Sequence, residues 1–406
     1  MKYLRFAPIL SLFVLCAAHA QRGGEPEPIP DFTNLDEYIY EPKTTLSIGF
    51  RTVTGVKTSF KGTGLIKNPF EDINDTTTTG IPRSYHDGTV FADTRGTSVD
   101  NGDGTATFVP ITPDGKTNSW TMTDDRQTSQ FPGFIAMHNY SASVIDPAAR
   151  TKNGGTSGGL ELVVSREMGK LFNTRLTWSL TAGMTISDIS VKSTSKVLAN
   201  INTITDLYSL YGAVAPAAPY TAPSFETVNV VDSSGNPVLN EDGSTQSVNV
   251  DTTVLISSTP TDRQTKTTTD NTSVTNLSTL KGAYYSFRAG PTIALPFWNR
   301  FQASVSFGGT LVYAGSTYTV VQTFQPEIGV EITDGLTGDT TKVLPGYFAD
   351  ATLQFNLTPK TGFYAGAIFQ ESGDYTQKIS SPTSSYSTKI DFGRQSGFRA
   401  GMTIKF

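Results

Sequence analysis

The residues with the greatest chemical capacity in this chain are few and scattered. Ser84-Tyr85-His86-Asp87 holds the residue types of a nucleophile, a base and an orienting carboxylate. Consecutive residues do not converge as a triad must, because hydroxyl, imidazole and carboxylate have to meet end to end, so the stretch reads as a turn. The histidines are His19, His86 and His138 and the one cysteine is Cys16, too small an inventory for a zinc centre or a thiol nucleophile. Asp100-Asn101-Gly102-Asp103-Gly104 begins like a calcium loop but lacks the third acidic position and the distal glutamate. The expectation is no catalytic residue, no metal and no cofactor.

A second set of charges is more orderly. Arg51, Lys57, Glu161, Arg175, Arg288, Asp350, Asp391, Arg399 and Lys405 all lie in or beside segments where apolar and polar residues alternate, on the polar side. The strongest such segment sets Leu176, Trp178, Leu180, Ala182, Met184 and Ile186 against Arg175, Thr177, Ser179, Thr181, Gly183 and Thr185. A period of two is a strand; a helix would need apolar residues three and four apart. The pattern recurs from Tyr285 to Leu295, Phe301 to Tyr313, Tyr347 to Leu357, Phe363 to Phe369 and at the C-terminus, where Phe398, Ala400, Met402, Ile404 and Phe406 face Arg399, Gly401, Thr403 and Lys405. An apolar outside with a charged inside describes a transmembrane barrel strand. A basic residue on the lipid face would cost about 2–4 kcal/mol near the midplane, so parity assigns the nine charges to the lumen.

This ending resembles that of Gram-negative outer-membrane β-barrel proteins. The resemblance rests on Phe406 and the alternating positions before it. It implies an assembly signal in Phe398, Met402, Ile404 and Phe406, read by the barrel-assembly machinery, and outer-membrane lipids as surroundings. Barrel enzymes exist in that setting, such as omptin proteases with Asp-Asp and Asp-His pairs and lipid A deacylases with a His-Ser pair. Neither constellation matches this sequence residue by residue.

The N-terminus fits export. Lys2 and Arg5 precede an apolar run from Phe6 to Ala18, and Ala18-His19-Ala20 is a small-x-small cleavage site, which makes residues 1–20 a signal peptide. Leu15 stands before Cys16 where a lipoprotein signal would have a small residue, so lipidation is not expected. Cleavage removes the cysteine and two of the 31 basic residues, leaving 29 against 36 acidic ones. That balance excludes a nucleic-acid partner. No later window approaches the roughly 18 apolar residues of a membrane helix, so any span is β.

Residues 21–43 are proline-rich and acidic and read as a periplasmic lead-in; residues 44–406 read as the barrel. Short links near 167–173, 296–300 and 358–362 alternate with long segments, the order of short periplasmic turns and long outer loops. With both ends periplasmic, spans begin near 45, 117, 131, 158, 173, 282, 301, 346, 362 and 389. The expected architecture is an all-β, antiparallel up-and-down transmembrane barrel of about ten strands, with eight or twelve also even. The polar stretch of about 190–278 reads as a surface insert, with a short helix near Asp206 to Tyr211. Trp178, Phe297, Trp298, Tyr347, Phe363 and Phe406 stand where strands meet turns and read as interfacial aromatics.

Barrel width then bears on function. About eight strands are filled by side chains and about sixteen to eighteen leave a channel. The expected role is a structural or surface-exposed barrel with a narrow or plugged lumen, passing small solutes at most. The alternatives are a porin or transporter with weak anion preference and a loop-mediated adhesin or ligand binder. The sequence does not set the oligomeric state.

Overall fold

The alternating segments, rich in Thr, Val, Tyr and Phe, suit a pleated backbone, and the computed structural model makes strands of them. It describes residues 43–68, 70, 76–172 and 174–406; the signal peptide and nearly all of the lead-in lie outside these. Among the described residues the one helix is the single turn Arg126–Ser129. Among the described residues no helix is long and apolar enough to cross a membrane.

Eight strands carry the architecture: β1 (Thr44–Thr54), β2 (Thr156–Lys170), β3 (Thr177–Ser209), β4 (Asp262–Phe297), β5 (Phe301–Phe324), β6 (Ile332–Asn356), β7 (Thr361–Ser372) and β8 (Arg394–Lys405). Each pairs antiparallel with its neighbours in sequence, from β1·β2 through β7·β8. β8 also pairs with β1, in register from Thr45↔Lys405 to Thr54↔Ser396. At that seam Phe406 donates its backbone N–H to Thr44 O at 2.9 Å and accepts the Thr44 N–H at 3.1 Å.

The strands expected near 117 and 131 are not among these eight. Trp120–Met122 belongs to a small sheet with Gly88–Val90, Arg83–Tyr85 and Tyr220–Ala222. Phe134–Val144 pairs with the far half of β3 and with Lys57–Ile66. Its residues Ile135 to Tyr140 are buried consecutively, which explains their poor period: protein covers both faces, so neither has to match one solvent.

The expected insert is also more ordered than a loop. β3 and β4 run together for 33 and 36 residues, pairing as far as Leu207↔Asp262. Asp206 therefore lies in a strand, not in a helix. Beyond them a separate hairpin pairs Phe225–Asn229 with Ser247–Asp251, Val228 opposite Val248.

Polarity inverts along the long strands. Outward positions of β3 read Leu180, Met184 and Ile186, then Asp188, Ser190 and Lys192; inward positions read Thr181, Thr185 and Ser187, then Ile189 and Val191. β5 repeats this, with Val305, Phe307 and Leu311 outside Ser306 and Thr310, then Thr317 outside Val312, Ala314 and Tyr318. The upper half encloses an apolar core that includes Phe60, Leu280, Tyr318, Tyr386 and Phe392. The lower half is greasy outside and polar inside.

Candidate functional site

The lower interior is built from inward-pointing residues of seven strands. Arg399 of β8 sets Nη2 2.5 Å from Glu161 Oε1 of β2, and Arg288 of β4 reaches the same oxygen at 2.9 Å. Asp350 of β6 takes Arg399 Nη1 at 3.1 Å and lies 3.8 Å from Arg288 Nη1. Arg51 of β1 donates to Gln370 Oε1 of β7 at 2.8 Å and to Thr185 Oγ1 of β3 at 3.4 Å. All five charged residues are buried.

Local sequence makes room for this in a narrow space. Gly49 sits between Glu161 and Gly401 in the ladder. A Cβ on Gly49 would collide with the Tyr364 hydroxyl and with Ala400 O. The missing side chain lets Tyr364 lie across the interior, where Arg399 stacks over its ring at 5.1 Å; Arg288 stacks over Phe348 at 5.4 Å. Above, Tyr284 and Phe392 meet edge to face at 5.0 Å, an aromatic layer between ions and apolar core.

Of the nine charges expected inside, Arg51, Glu161, Arg288, Asp350 and Arg399 are brought together. Lys405 is half-buried at the lower end. Lys57 is exposed, because Gly55 at φ 112° interrupts the strand and the parity shifts: Val53 and Val56 are both buried. Only glycine enters that backbone region freely. Asp391 points away from the core beside buried Ile390, opposite Lys57, and Arg175 is exposed in the turn before β3. These three do not line the interior.

The outer surface carries two aromatic bands. Phe297, Trp298, Phe301 and Phe355 form a chain of ring contacts at 5.1–6.0 Å at the short-turn end, with Phe363 paired to Phe355. Trp178 is half-buried near the start of β3, and Phe406 is exposed. At the other edge Tyr285 meets Tyr313 and Tyr347 meets Phe369, both at 6.4 Å. Phe172 and Trp298 occupy two of the short turns with φ of 49° and 53° and are 87% and 80% exposed. A bulky residue in the left-handed region is strained in a way that glycine would not be. Phe398, Met402 and Ile404 are likewise exposed, outside β8.

A second buried polar cluster, which the sequence did not reveal, lies in a cap made of the small sheet of Arg83–Tyr85, Gly88–Val90, Trp120–Met122 and Tyr220–Ala222 together with Phe134–Val144, whose Ile135 and Met137 share its apolar core. Asp87 receives the His138 backbone N–H at 2.8 Å, and its other oxygen is 2.5 Å from His138 Nδ1. His86 accepts the Tyr140 N–H at 3.2 Å, and its ring packs against Phe70 and Tyr140. Burial lowers the pKa of His86. Nearby, Asp206 holds Arg263 through two contacts of 2.6 and 2.7 Å and accepts the Tyr85 hydroxyl. Ser84 has no part in the Asp87–His138 pair, so Ser84 to Asp87 form no triad. Among the described residues no three metal-ligating side chains converge.

No protein-family model matches this chain, and no curated relative does. Among solved structures it is similar to the outer-membrane protease OmpT of Escherichia coli, at 9% identity and a TM-score of 0.27, covering 90% of this chain and 97% of that one. A FadL homologue of Pseudomonas aeruginosa gives 12% identity and a TM-score of 0.17, with 90% of both chains covered. Overlaps of that size decide neither fold nor function. The polarity of the molecule itself has to.

Proposed function

We propose that this chain is an integral outer-membrane β-barrel of eight transmembrane strands, sealed by β1 and β8, whose lumen is plugged. One observation carries the reading: Arg51, Glu161, Arg288, Asp350 and Arg399 are buried inside a strand ring that exposes Ile48, Phe50, Leu160, Leu162, Leu180, Val305, Phe307 and Phe398. Each such side chain left in water forfeits about 1.5–3 kcal/mol, while buried charges cost several more. A fold that does both gains nothing in water. In hydrocarbon the arrangement is the stable one, since strand pairing runs around the whole ring and leaves no open sheet edge.

The role that follows is structural, with surface elements displayed above the membrane and small-solute passage at most. The ion network blocks the lower lumen and the apolar cluster around Phe60 and Tyr318 blocks the upper one. Phe398, Met402, Ile404 and Phe406, outward on the closing strand, are assigned as the assembly signal. The test pairs two measurements on purified protein. Gel mobility should differ between boiled and unboiled samples, and planar bilayers should show no stable open level. A protein that stays monodisperse without detergent sinks the membrane reading; a steady conductance turns the plugged barrel into a porin.

Exposed Phe225, Val248 and Val250 on the outermost hairpin favour a second reading, capture of a ligand at the surface. Removing residues 226–250 would abolish surface binding in that case while leaving insertion intact.

A further inference from the structure

The charges of the lower interior do not balance. Three guanidiniums, those of Arg51, Arg288 and Arg399, face two carboxylates, those of Glu161 and Asp350, both of which are engaged with Arg288 and Arg399. Among the described residues no carboxylate lies within ion-pair distance of Arg51, which holds only the neutral Gln370 and Thr185. Arg51 is 1% exposed. An uncompensated buried charge is among the most destabilising features a fold can hold.

The surroundings of Arg51 add unused donors. Its own Nε has no partner, and neither does the hydroxyl of Tyr284 or either end of the amide of Gln395. Gln395 is fully buried and stands directly opposite Gln370, the acceptor of Arg51 Nη2. Directly paired side chains lie about 5 Å apart. Tyr284 shares the inward face of β4 with Ser286, two residues away; Ser286 donates to the same Gln370 oxygen at 3.0 Å and stands opposite Thr185, the other acceptor of Arg51. A guanidinium N–H, an amide N–H and a phenol O–H, each buried and without a partner, come from Arg51 and from the register neighbours of its partners Gln370 and Thr185, and form a donor set for an anion. Glu161 meets Arg288 and Arg399 through Oε1 and leaves Oε2 without a partner.

We propose that one small monovalent inorganic anion of the halide class binds inside the barrel beside Arg51, held by Arg51, Gln395 and Tyr284, and neutralises the lumen. The proposal rests on the plugged-barrel reading. A lumen of eight strands filled by side chains favours a monatomic ion over a larger oxyanion.

The test is thermal unfolding of the detergent-solubilised full chain at constant ionic strength, with sodium chloride or bromide exchanged against sodium gluconate. Halide should raise the midpoint saturably, by about 4 °C at a hundredfold excess over the dissociation constant. Arg51→Gln should erase the dependence. If that variant does not fold, Gln395→Leu should weaken halide binding at least tenfold, and crystals grown in bromide should show one anomalous peak within hydrogen-bond reach of Arg51. Equal midpoints in chloride and gluconate, a folded Arg51→Gln protein that keeps its halide response, or bromide density only at the surface, an adventitious ion only, would each overturn the proposal. Heat-modifiable gel mobility in the same preparation separates these outcomes from failure of the barrel reading itself.

Discussion

Arg399 and Glu161 meet at 2.5 Å although their strands, β8 and β2, are separated by β1. They reach across because the intervening position facing Glu161 is Gly49. Replacing Glu161 by Gln leaves Arg288 and Arg399 to share Asp350, and breaking a buried pair in this way costs about 3–5 kcal/mol. Urea titration of the folded protein in micelles should show that loss. An unchanged midpoint would mean that the network is hydrated enough to be screened.

Phe307 is exposed midway along the apolar face of β5, whereas Thr194 is exposed on the upper half of β3. Phe307→Arg should destabilise the vesicle-inserted protein by about 2–4 kcal/mol. Thr194→Arg, in the water-facing tier, should stay within about 0.5 kcal/mol. Equal effects would contradict the placement of the bilayer.

The three tryptophans report depth. Trp120 is fully buried in the cap, and Trp178 and Trp298 lie on the outer surface near the short-turn end. In single-tryptophan variants, brominated lipids should quench Trp178 and Trp298 and leave Trp120 unaffected.

His86 gives the cap a pH dependence of definite sign. Burial lowers its pKa from the ordinary value of 6.5, so below that value the unfolded cap binds the proton more readily than the folded one. Stability therefore rises with pH through this window and is lost as pH falls below about 6.5. The hydrogen-exchange protection factors of residues 83–90, corrected for the intrinsic pH dependence of exchange, should fall between pH 7 and 5, and His86→Gln should flatten the profile. An identical profile in the variant would move the dependence elsewhere.

The outer hairpin bears little on the fold. Ser224 and Thr253 close its base, with the Ser224 N–H donating to Thr253 Oγ1 at 2.9 Å. Replacing residues 226–250 by a short Gly-Ser turn should leave the unfolding midpoint within about 1 °C.

How much of this was legible beforehand differs from strand to strand. The two-residue period of β3, β5 and β8 showed their strand character and the apolar face on each, because backbone pleating alone sends successive side chains to opposite sides. Phe134 to Tyr140 hid its surroundings, since a strand covered on both faces has no period to read. Lys57 was placed inside by extending a parity that Gly55 breaks, and the break costs no residue pattern: Val56, Thr58 and Phe60 continue the alternation of Leu46, Ile48 and Phe50 on the opposite face.

By itself, then, the sequence determined the all-β character, the greasy and polar faces of the long strands, and five of the residues that meet in the interior. The tertiary structure decided which strands pair with which, the meeting of Arg399 with Glu161 and Asp350, and the mismatch of charge at Arg51. Periodicity is a local consequence of backbone geometry, whereas pairing, register and charge balance depend on contacts between residues hundreds of positions apart, which no window along the chain contains.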